Sequence, residues 1–417
     1  MSVTDTAIIG AGPYGSSLAA HLRAAGMAHQ ILGEPMGAWR NYMPPGMLLR
    51  SEAFASSLHA PRSGFTVEDY CRQKGIPYQP MGMAFPLETF VDYGLWFQGS
   101  LVGDIQAVDV LNLRRVGGQF QLALSDGRSL IARKVVIALG LKGYAQTPPA
   151  LQGLPQRYAS HSEQHGDLTW ARGKDIVIVG GGQSALGLSA LLHELGARVR
   201  VLMREAEIVW HERPEAGRSI LSKIRHPDAG LGRGWRSLFL SECPHLFHML
   251  DQARRRLVMD KSYGASGAWW LHDRVVDKVE IWSRTEVRSA SIDNDRVVLR
   301  VMSDNEEALV DADHVIAATG FKTDMRQHAF LSKDIVDAIS VHGGLPELTS
   351  NYETRIGGLY VIGPASAHSF GPVMRFVYGT KHAAPSVARH IAGSLKAGAR
   401  ESRWSPGDSP MSEQTSE

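Results

Sequence analysis

The 417-residue chain carries 44 Lys and Arg against 42 Asp and Glu. Its length allows two or three domains with sizeable cores, and its formal charge of +2 gives no electrostatic reason to expect nucleic acid as a partner. Its two cysteines, Cys71 and Cys243, form no C-x-x-C pair, which excludes a disulfide framework and an internal dithiol relay and leaves both as packing residues. No stretch is apolar for long enough to span a membrane, and Met1 precedes the first strand-like run by a few residues, so the expectation is a cytoplasmic protein with no membrane partner and no cleaved targeting segment.

The first pattern is Ala7-Ile8-Ile9 followed by Gly10-Ala11-Gly12-Pro13-Tyr14-Gly15 and a helical run. A glycine-rich turn between strand and helix is a dinucleotide cradle. Its first glycine makes the bend, its second lets the backbone approach a pyrophosphate, and its third lets helix pack on strand. The helix N-terminus then points its amides at the phosphates. Glu34 stands nineteen residues after Gly15, just past a second apolar run, where a carboxylate accepts hydrogen bonds from a ribose diol. This points to the adenosine of FAD. In the Pro- and Gly-rich stretch that follows, Met43, Met47, Met81 and Met83 read as gap fillers. Alternating segments at Val108 to Val116, Phe120 to Leu124 and Ser129 to Ile131 predict a β-meander with hairpin turns at Gly117-Gly118 and Asp126-Gly127. It closes in a separate run, Val135 to Gly140.

The plan then repeats. Asp175 to Val179 leads into Gly180-Gly181-Gly182-Gln183-Ser184-Ala185, 170 residues after the first turn. Arg204 stands nineteen residues beyond Ala185, where a guanidinium suits a 2′-phosphate and so selects NADPH over NADH. A second meander is expected at Val287 to Ile292, Val297 to Val301 and Leu309 to Val310, ending in His314 to Gly320. Between Glu205 and Val287 lies an insertion that a dinucleotide fold does not need. Pro244 is expected at the first position of a helix with Leu246, Leu250, Ala253 and Leu257 on one apolar face. Trp235, Trp269 and Trp270 either line a substrate pocket or pack a helical hairpin, and Arg254-Arg255-Arg256 reads as a solvated helix face. Exposed faces of the insertion are candidate contacts of a homo-oligomer. A last strand-like run, Gly358 to Gly363, precedes a helical pattern from about Pro372 to Leu395, and the remainder is polar.

The predicted fold is therefore α/β, with two Rossmann-like dinucleotide-binding domains for FAD and NADPH, each with a β-meander, plus a helical insertion. Residues 1–160 and 325–400 form a discontinuous FAD domain, 165–324 the NADPH domain with the insertion at about 206–286, and 401–417 a disordered tail.

With its two turns, a linking segment and the strand end Ala318-Thr319-Gly320-Phe321, the chain resembles the class B flavin-dependent monooxygenases, most of all the group that N-hydroxylates lysine and ornithine. Gly180 to Ala185 is similar to that group's NADPH turn, and the linker Ser160-His161-Ser162-Glu163-Gln164-His165 falls where the group has a His-Ser pair. The resemblance implies that His161 and Ser162 contact NADP+ between the domains. Gly37-Ala38-Trp39 and Pro45-Gly46 are similar to segments that place a tryptophan near FAD in related flavin monooxygenases and Baeyer-Villiger enzymes. Gly363-Pro364 stands where many FAD proteins have Gly-Asp.

The cofactor-binding candidates are Gly10, Gly12, Pro13, Tyr14, Gly15, Glu34, Trp39, Gly140, Gly363 and Gly371 for FAD, and His161, Ser162, Gly180, Gly182, Gln183, Ser184, Ala185, Arg204, Thr319 and Gly320 for NADPH. Gly371-Pro372 is expected to open the last helix, with its amides toward the flavin. No metal-ligand spacing and no catalytic acid-base pair stand out. The resemblance implies oxygen transfer from dioxygen through a flavin hydroperoxide to a small organic substrate. The first expectation is N-hydroxylation of an amine or amino acid. Baeyer-Villiger or sulfur oxygenation, or a reductase passing electrons to a separate partner, are the alternatives.

Overall fold

The computed structural model describes residues 2–214, 217–260, 262 and 266–401, so the tail expected at 401–417 lies outside the described residues except for Glu401. Ser2–Ile9, rich in β-branched residues, is central in a seven-stranded sheet. The order is Ile105–Gln106, His29–Leu32, Ser2–Ile9, Ser129–Ile137, Gln119–Leu124, Val110–Val116, with Leu359–Val361 also paired to Ser129–Ile137. The two runs expected at Ser129 and Val135 are one nine-residue strand. Its first edge pairs in parallel with Ser2–Ile9. Its second edge is shared: residues 129–132 take the antiparallel meander and 135–137 take Leu359–Val361 in parallel. One strand thus joins the meander to the dinucleotide fold.

The second sheet has five parallel strands in the order Glu280–Trp282, Arg198–Leu202, Asp175–Val179, His314–Ala317, Ala159–His161. Ala159–His161, assigned from sequence to the end of the first domain, pairs here with His314–Ala317. The second meander, Thr285–Asp293, Arg296–Ser303 and Glu306–Ala312, is a separate three-stranded sheet. The break falls at Asp313, whose backbone donates to the Asp175 carbonyl at 2.8 Å while its carboxylate accepts from Asp175 N at 2.8 Å and Arg296 Nη1 at 2.5 Å. Arg296 and Arg200 both reach the Asp175 carboxylate, at 3.1 and 2.9 Å. A buried ion cluster of this kind fixes where the chain turns more than it adds stability.

The insertion departs from its expected packing. The helix opened by Pro244 spans only Pro244–His248, and Gln252–Asp260 is a separate helix. Leu246 and Leu257, expected on a buried face, are 54% and 56% exposed, whereas Phe247 and Met259 turn inward and join the core of the first unit. A Cβ on Gly371 would approach Phe247 to 3.2 Å, so the bare glycine makes room for that ring. Lys381 pairs with Glu242 at 2.6 Å, and the His382 Nε2–H donates to the Ser241 carbonyl at 2.7 Å. The segment from Trp235 to Asp260 therefore leaves the second unit in sequence and docks on the first.

The C-terminal helical pattern also resolves differently. Pro372–Arg375 and Val377–Gly379 are short 3₁₀ turns, and the long helix is Thr380–Glu401. The buried Tyr14 hydroxyl lies 2.9 Å from the carbonyls of both Met374 and Phe376, acceptors that a continuous helix would use internally. Among the described residues no helix is long and apolar enough to cross a membrane.

Both glycine-rich turns lead from strand to helix, into Pro13–Ala24 and Gln183–Glu194. Gly10 and Gly180 have φ of +114° and +133°, and a Cβ on either would collide with a backbone carbonyl, that of Ala138 or Ala318. At Gly12 and Gly182 a Cβ meets nothing within 4 Å. The first position of each turn is packed and the second faces open space. Gly10→Ala is accordingly expected to destabilise the fold by about 2–4 kcal/mol, through overpacking and backbone strain, while Gly12→Ala should cost less than about 1 kcal/mol. Urea unfolding of the two variants without added ligand checks the contrast.

Candidate active site

A cavity of about 330 Å³ lies between the two units. The first unit contributes Tyr42, Met43 and Met47, the second contributes Leu188, Leu191 and Trp270, and the linker contributes Ser162, Glu163 and Gln164. Gln183 and Ser184, from the second glycine turn and its helix, complete the wall beside Phe321. The lining is mainly apolar with a few polar groups, the usual composition of a small-molecule site. Close backbone approaches set the separation of its walls. A Cβ on Gly166 would collide with the Asn41 carbonyl, and one on Gly46 would stand 3.4 Å from Leu191.

Three buried histidines hold the linker. His161 Nδ1 accepts the Glu163 backbone N–H at 3.2 Å, which leaves the proton on Nε2, facing the Gly320 carbonyl at 3.2 Å. At the other end His314 Nδ1–H donates to the Arg157 carbonyl at 2.9 Å, so its Nε2 accepts the Ser160 hydroxyl at 2.6 Å. The Ser160 oxygen in turn accepts from His165 Nε2–H at 2.7 Å. All three rings are neutral in this arrangement, and burial lowers the pKa of each. The His161 backbone N–H is capped by the Gln164 side chain at 2.8 Å. Ser162, Glu163 and Gln164 are thus presented to the cavity from a fixed loop, and burial raises the Glu163 pKa from its ordinary value.

The structure separates the sequence candidates by what their side chains touch. Gly12, Gly182, Gly140 and Gly320 have open space where a side chain would stand. Gly10, Gly15 and Gly180 are packed against backbone, and Ala185 is fully buried. Pro13 occupies the first helical position. Tyr14 does not turn toward the turn's open side: its ring lies 3.3 Å from the Cβ position of Gly363, and its hydroxyl locks the C-terminal segment. Trp39 likewise packs edge-on against Phe90, with ring centroids 4.6 Å apart, while its neighbours Ala38 and Tyr42 reach the cavity. Gly371, against Phe247, opens a 3₁₀ turn in place of the expected long helix.

Glu34 accepts from Arg40 Nη1 at 2.9 Å, and both side chains are roughly half exposed. Arg204 lies just beyond Arg198–Leu202, exposed, with no hydrogen bond or ion pair among the described residues. Gln183 Oε1 accepts the Ala268 N–H at 3.0 Å, tying the second turn to the end of the insertion. The Thr319 hydroxyl donates to the Gln146 carbonyl. Of the three tryptophans singled out, only Trp270 lines the cavity; Trp235 is 62% exposed and Trp269 stacks under Arg213. Sequence reasoning missed Tyr42, Glu163, Gln164, Leu188 and Leu191. The linker residues had a signal in their position, but the apolar ones had none. Among the described residues no group of three or more His, Cys, Asp or Glu could hold a metal ion.

Two strand-turn-helix cradles, one in each of two units that meet at a cavity, define a two-dinucleotide oxidoreductase. Residues 4–227 match the pyridine nucleotide-disulphide oxidoreductase family, and the chain belongs to it. The disulphide chemistry in that name needs a cysteine pair, and the chain has only Cys71 and Cys243, both unpaired thiols. The fold is shared with the ornithine hydroxylase of Pseudomonas aeruginosa, at a TM-score of 0.74 and 18% identity, covering 94% of this chain and 100% of that one. It is shared equally with the ornithine N-hydroxylase of Kutzneria sp. 744 in a form with FADred, NADP+ and L-orn, at a TM-score of 0.74 and 17% identity, covering 94% and 100%. A ferredoxin–NADP reductase of Granulibacter bethesdensis is 36% identical over 95 residues, 22% of this chain and 26% of that protein. The chain spans about a quarter of the length of the first curated relatives it matches.

The neutral histidines carry a pH dependence. In the unfolded chain an imidazole takes up its proton near 6.5, whereas burial and then neighbouring histidines hold His165 at about 4, and burial holds His328 at about 4. The folded values are depressed, so between pH 6.5 and 4 the unfolded chain binds more protons and stability falls as pH drops. About 2 kcal/mol per imidazole is expected to be lost on going from pH 7.5 to pH 5. Urea midpoints should follow this fall, with a shallower slope in His165→Gln; parallel pH profiles would contradict the assignment.

Proposed function

We propose that the protein is an FAD- and NADPH-dependent monooxygenase of a small organic substrate, and that its reaction is N-hydroxylation of an amine or amino acid. The observation that carries this reading is the mainly apolar cavity between two units that each hold a glycine-rich turn, in a chain with no dithiol. Both cradles fit their proposed occupants. The open space at Gly12 and Gly182 leaves room for a pyrophosphate at each helix N-terminus. Glu34 would accept from a ribose diol, and the Arg204 guanidinium, exposed and without a partner among the described residues, would pair with a 2′-phosphate. FAD and NADPH, when bound, would supply the hydride and electron chemistry that activates dioxygen, so the oxidising power would be the cofactors' own.

The chain supplies positioning and dryness. Met43, Met47, Leu188 and Leu191 exclude water from the cavity, and the fixed linker holds Ser162 and Gln164 at its wall. An amine entering such surroundings is favoured in its unprotonated form, the form with the lone pair that attacks oxygen. Two residues beyond Leu48 of the cavity wall, Arg50 donates to His211 Nε2 at 2.8 Å and Ser266 Oγ at 3.1 Å, with the charge of Arg375 nearby. Arg50 has no carboxylate partner among the described residues. A guanidinium without a carboxylate partner, close in sequence to the cavity wall, would favour an amino acid over a simple amine.

The second reading, a reductase serving a separate electron acceptor, is favoured by the local identity to ferredoxin–NADP reductases. Isotopically labelled dioxygen separates the two. The oxygenase reading expects one labelled atom in the product, as a hydroxylamine from an amine, whereas an ester or sulfoxide would mean Baeyer-Villiger or sulfur oxygenation. Brisk NADPH oxidation with an added acceptor and no label in any organic product would establish the reductase. Arg204→Ala should weaken NADPH by about tenfold or more with little change for NADH. Gly12→Val should yield folded, colourless protein, as judged by the absorbance of bound flavin.

A further inference from the structure

A second cavity, of about 180 Å³, lies away from the first, between the insertion helix Gln252–Asp260, the strand Leu345–Pro346 and the short helix Ala367–Phe370. It shares no lining residue with the cavity between the units. Gln252, Arg255 and Arg256 fall on one helix face by their spacing of three and four, and all three line this space. His368 and Ser369 line it from the opposite element.

The charge there is unbalanced. Neither guanidinium makes a hydrogen bond or ion pair among the described residues, and Arg255 Nε is buried without an acceptor. Glu347 also lines the cavity, but its carboxylate is committed to Arg355 at 2.5 Å, and Asp251 is committed to Arg254 at 3.1 Å. Asp260, on the same helix, is not within ion-pair distance of either arginine. A buried N–H donor left without an acceptor is costly, and a charged one more so. Burial lowers the His368 pKa; the Asp260 carboxylate acts against that, and the charges of Arg256, Arg255 and Arg375 act with it.

We propose that this second cavity binds a small anion bearing phosphate or carboxylate groups. Arg255 and Arg256 supply planar donor forks suited to either group, Gln252 and Ser369 supply neutral donors, and the neutral His368 ring supplies one N–H. The volume admits inorganic phosphate, a short phosphate ester or a dicarboxylate, and is too small for a dinucleotide. Ala367–Phe370 runs directly into Gly371 and the turn that carries the Tyr14 lock, so an occupant here would rest against the same short helix that leads back to the first cradle.

The test is calorimetry on the full chain saturated with FAD and NADP+, so that both dinucleotide sites are filled, in a buffer without phosphate or carboxylate. Inorganic phosphate is titrated in one arm and succinate in the other. Saturable binding of either probe is expected, weakened about tenfold or more in the Arg255→Gln, Arg256→Gln double variant with flavin content unchanged. Binding of phosphate alone assigns a phosphate site, and binding of succinate alone assigns a carboxylate site. No heat from either probe at millimolar concentration, or equal binding in the double variant, overturns the proposal. Should the double variant fail to hold flavin, His368→Asn decides: a severalfold loss of probe affinity supports the site, and none overturns it.

Discussion

The carbonyl oxygens of Ala138 and Ala318 occupy the volume that side chains at Gly10 and Gly180 would claim. This backbone approach, made once in each half of the chain, sets the position of everything that follows. It brings the closing strand of each unit against the start of its glycine turn, so the next helix begins with its amides pointing away from the sheet and into open space. Both units use the same device, in the registers Ile9 with Ile137 and Val179 with Ala317. A side chain at either position would force the closing strand away and close the cradle.

A second set of contacts converts two cradles into one site. Asn41 backs onto Gly166, the Gln146 backbone N–H donates to the Gly320 carbonyl at 3.0 Å, and His161 donates to that same carbonyl. These are short, directional contacts between backbone and buried polar groups, so the spacing of the cavity walls does not depend on mobile surface charges. The apolar lining then follows from burial between two packed units.

The fold was legible because its devices are local. A β-branched run, a glycine turn and a helical pattern lie within twenty residues of one another, and glycine is required where the backbone has no room for a side chain. What could not be read depends on which core a segment joins. Leu246 and Leu257 have helical spacing, yet the helix ends after His248 and Phe247 finds the vacancy beside Gly371, far along the chain. The Pro372 helix was misplaced for a similar reason: Tyr14, more than 350 residues earlier, takes the carbonyls that its first turns would need. In the site, the glycines announce themselves, whereas Leu188 and Leu191 look like any helix core until a second unit faces them. Trp39, an aromatic beside a recognisable motif, has a packing partner in Phe90 that the sequence did not announce.

The two cradles are copies in backbone but not in enclosure, and this bears on the order in which they would work. The first is closed behind by its own C-terminal segment: Tyr14 packs on Gly363 and Gly379, and the long helix Thr380–Glu401 lies along Pro13–Ala24. The second has no returning segment of this kind among the described residues, and Arg204 stands in solvent without a partner. A tightly retained redox group and an exchanging coenzyme need this asymmetry. The proposed order, FAD in the first cradle and NADPH in the second, rests on the opposite charges of Glu34 and Arg204, and the additional packing behind the first cradle gives it the more rigid frame of the two.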